Sequence, residues 1–235
     1  MGKTIAIVNQ KGGAGKTTTA TGLAQTLAGN RKKVLLVDLD PLSSIATRYH
    51  IVAQSPSTLA DCMEGNALLE QCVSPSWTEG LTVALGTHNL IGFEIAAMHQ
   101  EDRESILARQ LDRMNATYDY VLIDTPSSLG LLTMNALVAA DEVLIPIKCD
   151  YTIFEGMAEL LRTIDDVSTS LNAKLRITGF LVTHVNPELR STAINIKEIR
   201  TCYGDSVLHT LIPDSEDTRE SFEQLATELE VRDKK

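Results

Sequence analysis

The chain has no apolar run near the roughly 18–20 residues that a membrane span requires. Its longest runs, at 34–37 and 143–147, are only strand-length. The N-terminus enters a strand pattern at once, without the organisation of a signal peptide. Cysteine is scarce: Cys62, Cys72, Cys149 and Cys202 form neither a C-x-x-C pair nor a Cys/His set with zinc spacing, so they read as isolated reduced thiols. No Pro/Ser-rich linker, repeat or low-complexity tract divides the chain, and one domain over 1–235 is expected. Positive charge is also in short supply. Lys and Arg number 21 against 31 Asp and Glu, a net charge of −10 with a pI near 5.0. That balance excludes a whole-molecule polycation for nucleic acid, so any DNA contact must come from a local patch. The 43% apolar and 22% charged shares are ordinary for a globular protein and argue against a disordered chain.

Short β-branched runs alternate with longer helical patterns. Strands are expected at 4–8, 34–38, 81–85, 120–124, 142–147, 177–183 and 207–212. The inner runs are continuously apolar, as for strands covered on both faces. Helices are expected at 16–29, 101–114, 131–139, 154–171, 192–203 and 217–230. The alternation predicts an α/β fold: a single doubly wound, mostly parallel sheet flanked by helices, of the phosphate-loop NTPase type. Residues 43–77, with Ser-Pro at 55–56 and 74–75, read as short helices and surface loops.

The segment Gly12-Gly13-Ala14-Gly15-Lys16-Thr17-Thr18 follows the first strand and opens a helix. Gly15-Lys16-Thr17 fits the end of a phosphate loop, although Gln10 stands where the strict pattern has its first glycine. Glycines let successive N–H groups turn inward around phosphate oxygens, and a helix N-terminus favours the anion. Lys16 would meet the β- and γ-phosphates, and the Thr17 hydroxyl would ligate Mg²⁺. Lys11, just before the glycines, is a second lysine that a simple phosphate loop does not require.

Two strands run into aspartates, Asp38-Leu39-Asp40-Pro41 and Asp124-Thr125-Pro126. In open α/β sheets ligands sit at the carboxyl ends of strands, where these residues fall. Asp124 fits a contact to Mg²⁺ through water, and Asp40 is the candidate for polarising the water that attacks the γ-phosphate. Asp38, nearer the strand end, suits either support of the site or a turn cap.

On these motifs the chain resembles the ParA/MinD family of variant (deviant Walker A) phosphate-loop ATPases, most of all the short Soj-like ParA partition proteins. The likeness rests on 11–18, 38–41 and 119–130, and extends to 151–157, 179–183 and 211–213. The resemblance implies ATP and Mg²⁺ as cofactors and an ATP-bound homodimer in which Lys11 reaches the partner's nucleotide. Lys16 would bind phosphate, Thr17 and Asp124 would serve the metal, and Asp40 would assist hydrolysis. Gly12, Gly13, Gly15 and Thr18 would complete the cradle, with Asn186, Pro213 and Ser215 at the adenine. It further implies non-specific DNA binding by the dimer, stimulation by a ParB-like centromere-binding or adaptor protein, and a cytoplasmic, nucleoid-associated location.

Some residues depart from the family pattern. From Asp205 to the end, nine acidic residues face four basic ones, a net of −5 where relatives carry part of a basic face. Arg162, Lys174, Arg176, Arg190, Lys197, Arg200 and Arg219 remain as candidates for a DNA patch. The mixed-charge tail lacks the basic amphipathic character of a membrane-binding helix, so no membrane partner is expected. Leu42 and Ser127 replace a common glutamine and proline and are not expected to carry chemistry. The same switch could position a protein assembly instead of DNA. An electron-transfer protein of the nitrogenase-reductase type would need cluster cysteines, which no motif here supplies.

Overall fold

Strand-length apolar runs build an eight-stranded sheet in the order β3-β4-β2-β5-β1-β6-β7-β8. The strands are β1 (Lys3–Ile7), β2 (Val34–Asp38), β3 (Val73–Pro75), β4 (Leu81–Ala84), β5 (Tyr120–Asp124), β6 (Glu142–Lys148), β7 (Arg176–Val185) and β8 (Val207–Pro213). All pairings are parallel except β3 with β4. The computed structural model describes residues 2–42, 44–114, 117–150, 154–215 and 217–232.

Side chains alternate across a strand, so each strand feeds two cores. Ile5, Ile7, Val34, Leu36, Leu122 and Leu144 pack on one face against α1 (Lys16–Gly29), α2 (Ser44–Arg48) and α9 (Arg219–Arg232). Ala6, Val8, Leu35, Val37, Ile123, Val143 and Ile145 pack on the other. That second face is covered by α3 (Leu59–Met63), α4 (Leu90–Ala96), α5 (Ile106–Met114), α6 (Leu131–Ala139), α7 (Met157–Ser170) and α8 (Arg190–Tyr203). This is the doubly wound parallel arrangement expected, and two-sided burial explains the unbroken apolar runs.

Pro146 lies inside β6 without breaking the sheet. β1 pairs with β6 only through Leu144, so the missing Pro146 N–H falls beyond the end of β1. The Asn9 Nδ2 donates to the Pro146 carbonyl at 2.6 Å, tying the loop after β1 to β6.

Several expected boundaries shift. The helix expected from 101 starts at Ile106, because Asp102 takes a left-handed φ of 53° and a single 3-10 turn follows. The helix expected from 154 starts at Met157 behind Gly156, whose φ is 71°. Glycine suits that left-handed backbone, which strains a residue with a Cβ, and a Cβ there would also displace the Gln10 side-chain oxygen. The antiparallel edge strand β3 and helix α4 carry no sequence signal strong enough to anticipate them: three residues are too few for a period, and Gly92 interrupts α4. The cysteines are not all isolated. Cys62 and Cys72 are both buried, and the Cys62 thiol, pushed up to about 12 chiefly by burial, hydrogen-bonds the Cys72 side chain. Of the quoted 151–157 segment, residues 151–153 lie outside the described residues, as do Glu216 and 233–235 of the acidic C-terminal stretch.

Candidate functional site

The loop after β1 delivers α1 to the carboxyl end of the sheet. Gly13 and Gly15 hold left-handed φ values of 71° and 87°, and Gly15 directly precedes the helix. The α1 N-terminus has no side-chain cap and no acidic residue in its first turn. Its first-turn N–H groups therefore face the loop without an intrahelical acceptor, a geometry that receives anions. A Cβ at Gly12 or Gly13 would meet nothing within 4 Å, so the loop rim opens outward. Neighbouring strands fix it from behind: the Thr183 hydroxyl donates to the Ala14 carbonyl at 2.9 Å, and the Lys11 N–H donates to Asn9 Oδ1 at 2.9 Å.

Strand pairing places the carboxylates. Asp38 and Asp124 stand opposite each other on β2 and β5, both fully buried, and the Leu39 N–H donates to the Asp124 carbonyl at 2.9 Å. Neither Asp124 carboxylate oxygen has a hydrogen-bond partner of good geometry, and Asp38 Oδ2 is likewise unsatisfied. Asp38 Oδ1 accepts the Asp40 N–H at 3.1 Å, and Asp40 Oδ1 accepts the Leu42 N–H at 3.0 Å. Burial pushes the Asp124 carboxyl up to about 7, against the lowering pull of the Thr17 hydroxyl and the Lys16 ammonium. Burial, reinforced by the Asp124 charge, also raises Asp38 well above the carboxylate range. Unsatisfied buried carboxylates are costly, and they cluster where a cation or proton is to be handled.

Lys16 is buried among these acids, with an ammonium pKa lowered by burial while Asp124 and Asp40 oppose the shift. Its Nζ donates to the Ser127 hydroxyl at 2.7 Å and more weakly to the Lys11 carbonyl at 3.4 Å. Ser127, expected to carry no chemistry, thus holds the loop lysine. Lys11 Nζ lies 2.6 Å from Asp150 Oδ1 of its own chain, with Lys148 Nζ 3.5 Å from the other Asp150 oxygen. Residues 2–177 match the family model described as an AAA domain. Over 214 residues the chain is 40% identical to the sporulation initiation inhibitor protein Soj of Bacillus subtilis, covering 91% of this chain and 85% of that protein. It is 37% identical to the chromosome partitioning protein ParA of Myxococcus xanthus, covering 91% and 76%.

The chain belongs to the ParA/MinD family.

Solved structures agree. A Mycobacterium smegmatis cobyrinic acid a,c-diamide synthase, with bound ATP analogue and magnesium, superposes with a TM-score of 0.91 at 29% identity, covering 97% of this chain and 93% of that one. A plasmid partition protein from Borrelia burgdorferi gives 0.83 at 25% identity, covering 99% and 98%. Within the family's fold, the two loops read as the adenine site come together. Val185 pairs with Pro213, and the Asp214 N–H donates to the Val185 carbonyl at 3.0 Å. Asn186 is half-buried, with its side-chain oxygen accepting from the Glu188 N–H, while Ser215 is exposed and accepts from the Asp217 N–H. The basic candidates do not form one patch. Arg190 and Lys197 share the exposed side of α8, Arg176 and Arg200 line a groove at the opposite end of the strands, and Arg219 lies in a groove beside α1. Sequence reasoning missed Asn9, Ser127, Asp150 and Thr183, each of which acts across more than 100 residues of chain.

Proposed function

We propose that this chain is a Mg²⁺-dependent ATPase whose ATP-bound homodimer partitions DNA, as a single ATPase domain. The observation that carries the reading is a pair of buried carboxylates, Asp38 with one unsatisfied oxygen and Asp124 with two, beside an uncapped helix start and a buried lysine. That set fits a divalent cation accompanied by phosphate. Among the described residues no three His, Cys, Asp or Glu side chains form a complete metal cage, so phosphate and water would supply the rest of the shell. Thr17 and Asp124 would hold the Mg²⁺, which when bound would neutralise charge on the β- and γ-phosphates.

The chain's own residues do the remaining work. The backbone of Gly12, Gly13 and Gly15 and the Thr18 N–H cradle phosphate, and Lys16 places its charge on the β/γ end. Asp40, half-buried at the rim of the site, orients and polarises the attacking water. Asn186, Pro213 and Ser215 border the base. Lys11 exchanges its Asp150 partner for the nucleotide of the second subunit as the dimer closes. The name of the Myxococcus xanthus relative, a chromosome partitioning protein, supports DNA as cargo. A ParB-like protein would then stimulate hydrolysis, and the molecule would work in the cytoplasm on the nucleoid. No described helix is long and apolar enough to cross a membrane.

The acidic C-terminal stretch favours a second reading, in which the same switch positions a protein assembly. The deciding experiment uses Asp40→Ala with MgATP. It is expected to bind ATP, dimerise by light scattering and release no phosphate, and to bind unrelated DNA in a salt-sensitive way. Wild-type turnover removes Asp40 from the mechanism. Dimers that ignore DNA at low salt favour the protein cargo.

A further inference from the structure

A groove of about 500 Å³ runs between α1 and α9 from Thr18, in the first turn of α1, down to Asn30, and Arg48, Tyr49, Asp217 and Thr218 also line it. Arg48 ends α2, eight residues after Asp40 on the same segment. Its Nη1 donates to the Thr18 hydroxyl at 3.3 Å. Its guanidinium stands 5.8 Å from the Tyr49 ring centroid, and Tyr49 stacks on Trp77 at 3.9 Å with the rings 7° apart. No carboxylate pairs with Arg48 among the described residues. An arginine steadied on an aromatic face, bonded to a hydroxyl at a helix start and lacking an acidic partner, is a cation prepared for an anion.

The position of Thr18 and Arg48 between the two ends of the site identifies which part of the anion. Lys16 and Asp40 mark the γ end of a bound triphosphate. The base loop at Pro213 and Ser215 marks the other end, and Asp217 and Thr218, which follow it, share the groove with Thr18 and Arg48. The phosphate that passes Thr18 on the way to the ribose is the α-phosphate. We propose that Arg48 binds this α-phosphate jointly with Thr18, and so docks the Asp40-bearing segment whenever a nucleotide is present, with or without a γ-phosphate. The inference rests on the nucleotide-binding reading above and adds to it a contact that is blind to hydrolysis.

Trp77 is the chain's only tryptophan, so its emission reports on the platform beneath Arg48. The test measures MgADP and MgATP affinity by equilibrium dialysis, and Trp77 emission at saturation, for wild type, Arg48→Ala and Arg48→Lys. Arg48→Ala should weaken both nucleotides by a similar factor, about tenfold, as for loss of a charge-assisted bond. It should also abolish the nucleotide-induced change in Trp77 emission. Arg48→Lys should recover part of the affinity, because it restores charge without the planar fork. Should Arg48→Ala fail to fold, Arg48→Gln, which keeps the stem without the charge, gives the same comparison. Unchanged ADP affinity in the Arg48 variants, or a loss confined to ATP, overturns the proposal. Failure of the nucleotide reading looks different: wild type would then bind no ADP, or Lys16→Ala would bind it as tightly as wild type.

Discussion

Glu142 and Asp124 are both shut away from solvent in one sheet, 1% and 0% exposed, with β1 between their strands. Their surroundings are opposite. Glu142, at the start of β6, accepts from Lys3 at 2.7 Å, Arg176 at 2.5 Å and the Thr178 hydroxyl at 2.5 Å. Burial alone would raise its pKa, but bonds from Lys3, Thr178 and Arg176 outweigh that and hold it below the usual range. Asp124, at the end of β5, has no well-formed bond to either oxygen and rises to about 7. The difference separates two uses of a buried charge. At the amino ends of the strands the acid is satisfied from within and supports the fold. At the carboxyl ends it is left incomplete, the arrangement that the proposed Mg²⁺ and phosphate would complete.

The largest effect should appear in turnover. Asp124→Asn is expected to lower phosphate release at saturating MgATP by about 10²–10³-fold, the scale of losing one electrostatic contact to a developing charge. Glu142→Gln should turn over like wild type. Equal damage from the two would break the comparison.

Stability should move the other way. In the nucleotide-free protein at pH 8, Glu142→Gln should cost about 2 kcal/mol, since it leaves partly buried donors facing a neutral amide. Asp124→Asn should raise the denaturation midpoint, because it removes a buried charge whose desolvation outweighs the pull of Lys16 and Thr17. Urea titrations of both variants would show whether the signs differ.

The pH dependence of folding carries the same contrast at smaller scale. Asp124 holds its proton more tightly folded than unfolded, so its contribution is present below pH about 4 and lost as pH rises through about 7. Glu142 has a lowered pKa, so its contribution is present above pH about 4.5 and lost as pH falls. Asp124→Asn should flatten the loss between about pH 4 and 7, and Glu142→Gln should flatten the acid limb. A pH profile of the nucleotide-free form that Asp124→Asn leaves unaltered would contradict the assignment.

The smallest signal is a proton count. Binding MgADP at pH 6 should release up to about one proton from Asp124, seen as a calorimetric enthalpy that depends on the buffer. Asp124→Asn should release fewer.

Much of this was legible in the chain. The strands that form the middle of the sheet, the helix opening at Lys16 and the aspartates at 38, 40 and 124 follow from local pattern, because apolar period and glycine spacing are properties of neighbouring residues. The edge was not legible: β3 is three residues long and exists only through its pairing with β4. Nor was the Ser127 bond to Lys16 or the Asp150 pair with Lys11, since each joins residues from different strand ends. Asp102 and Gly156 moved two helix starts through left-handed backbone that the helical pattern around them conceals.

By itself, the sequence determined that this is a phosphate-loop protein of parallel α/β design, since an alternating pattern with Gly-Lys-Thr after a strand leaves few other arrangements. Only the tertiary structure decided which acids are satisfied and which are not. Glu142 and Asp124 are both acids at strand ends in the linear chain, and three donors distinguish them. Those donors come from β1 and β7, and only the stacking of parallel strands brings them to Glu142 while leaving Asp124 facing the loop. Hydrogen bonding acts over a few ångströms, and distance along the chain says little about which groups the fold will bring that close.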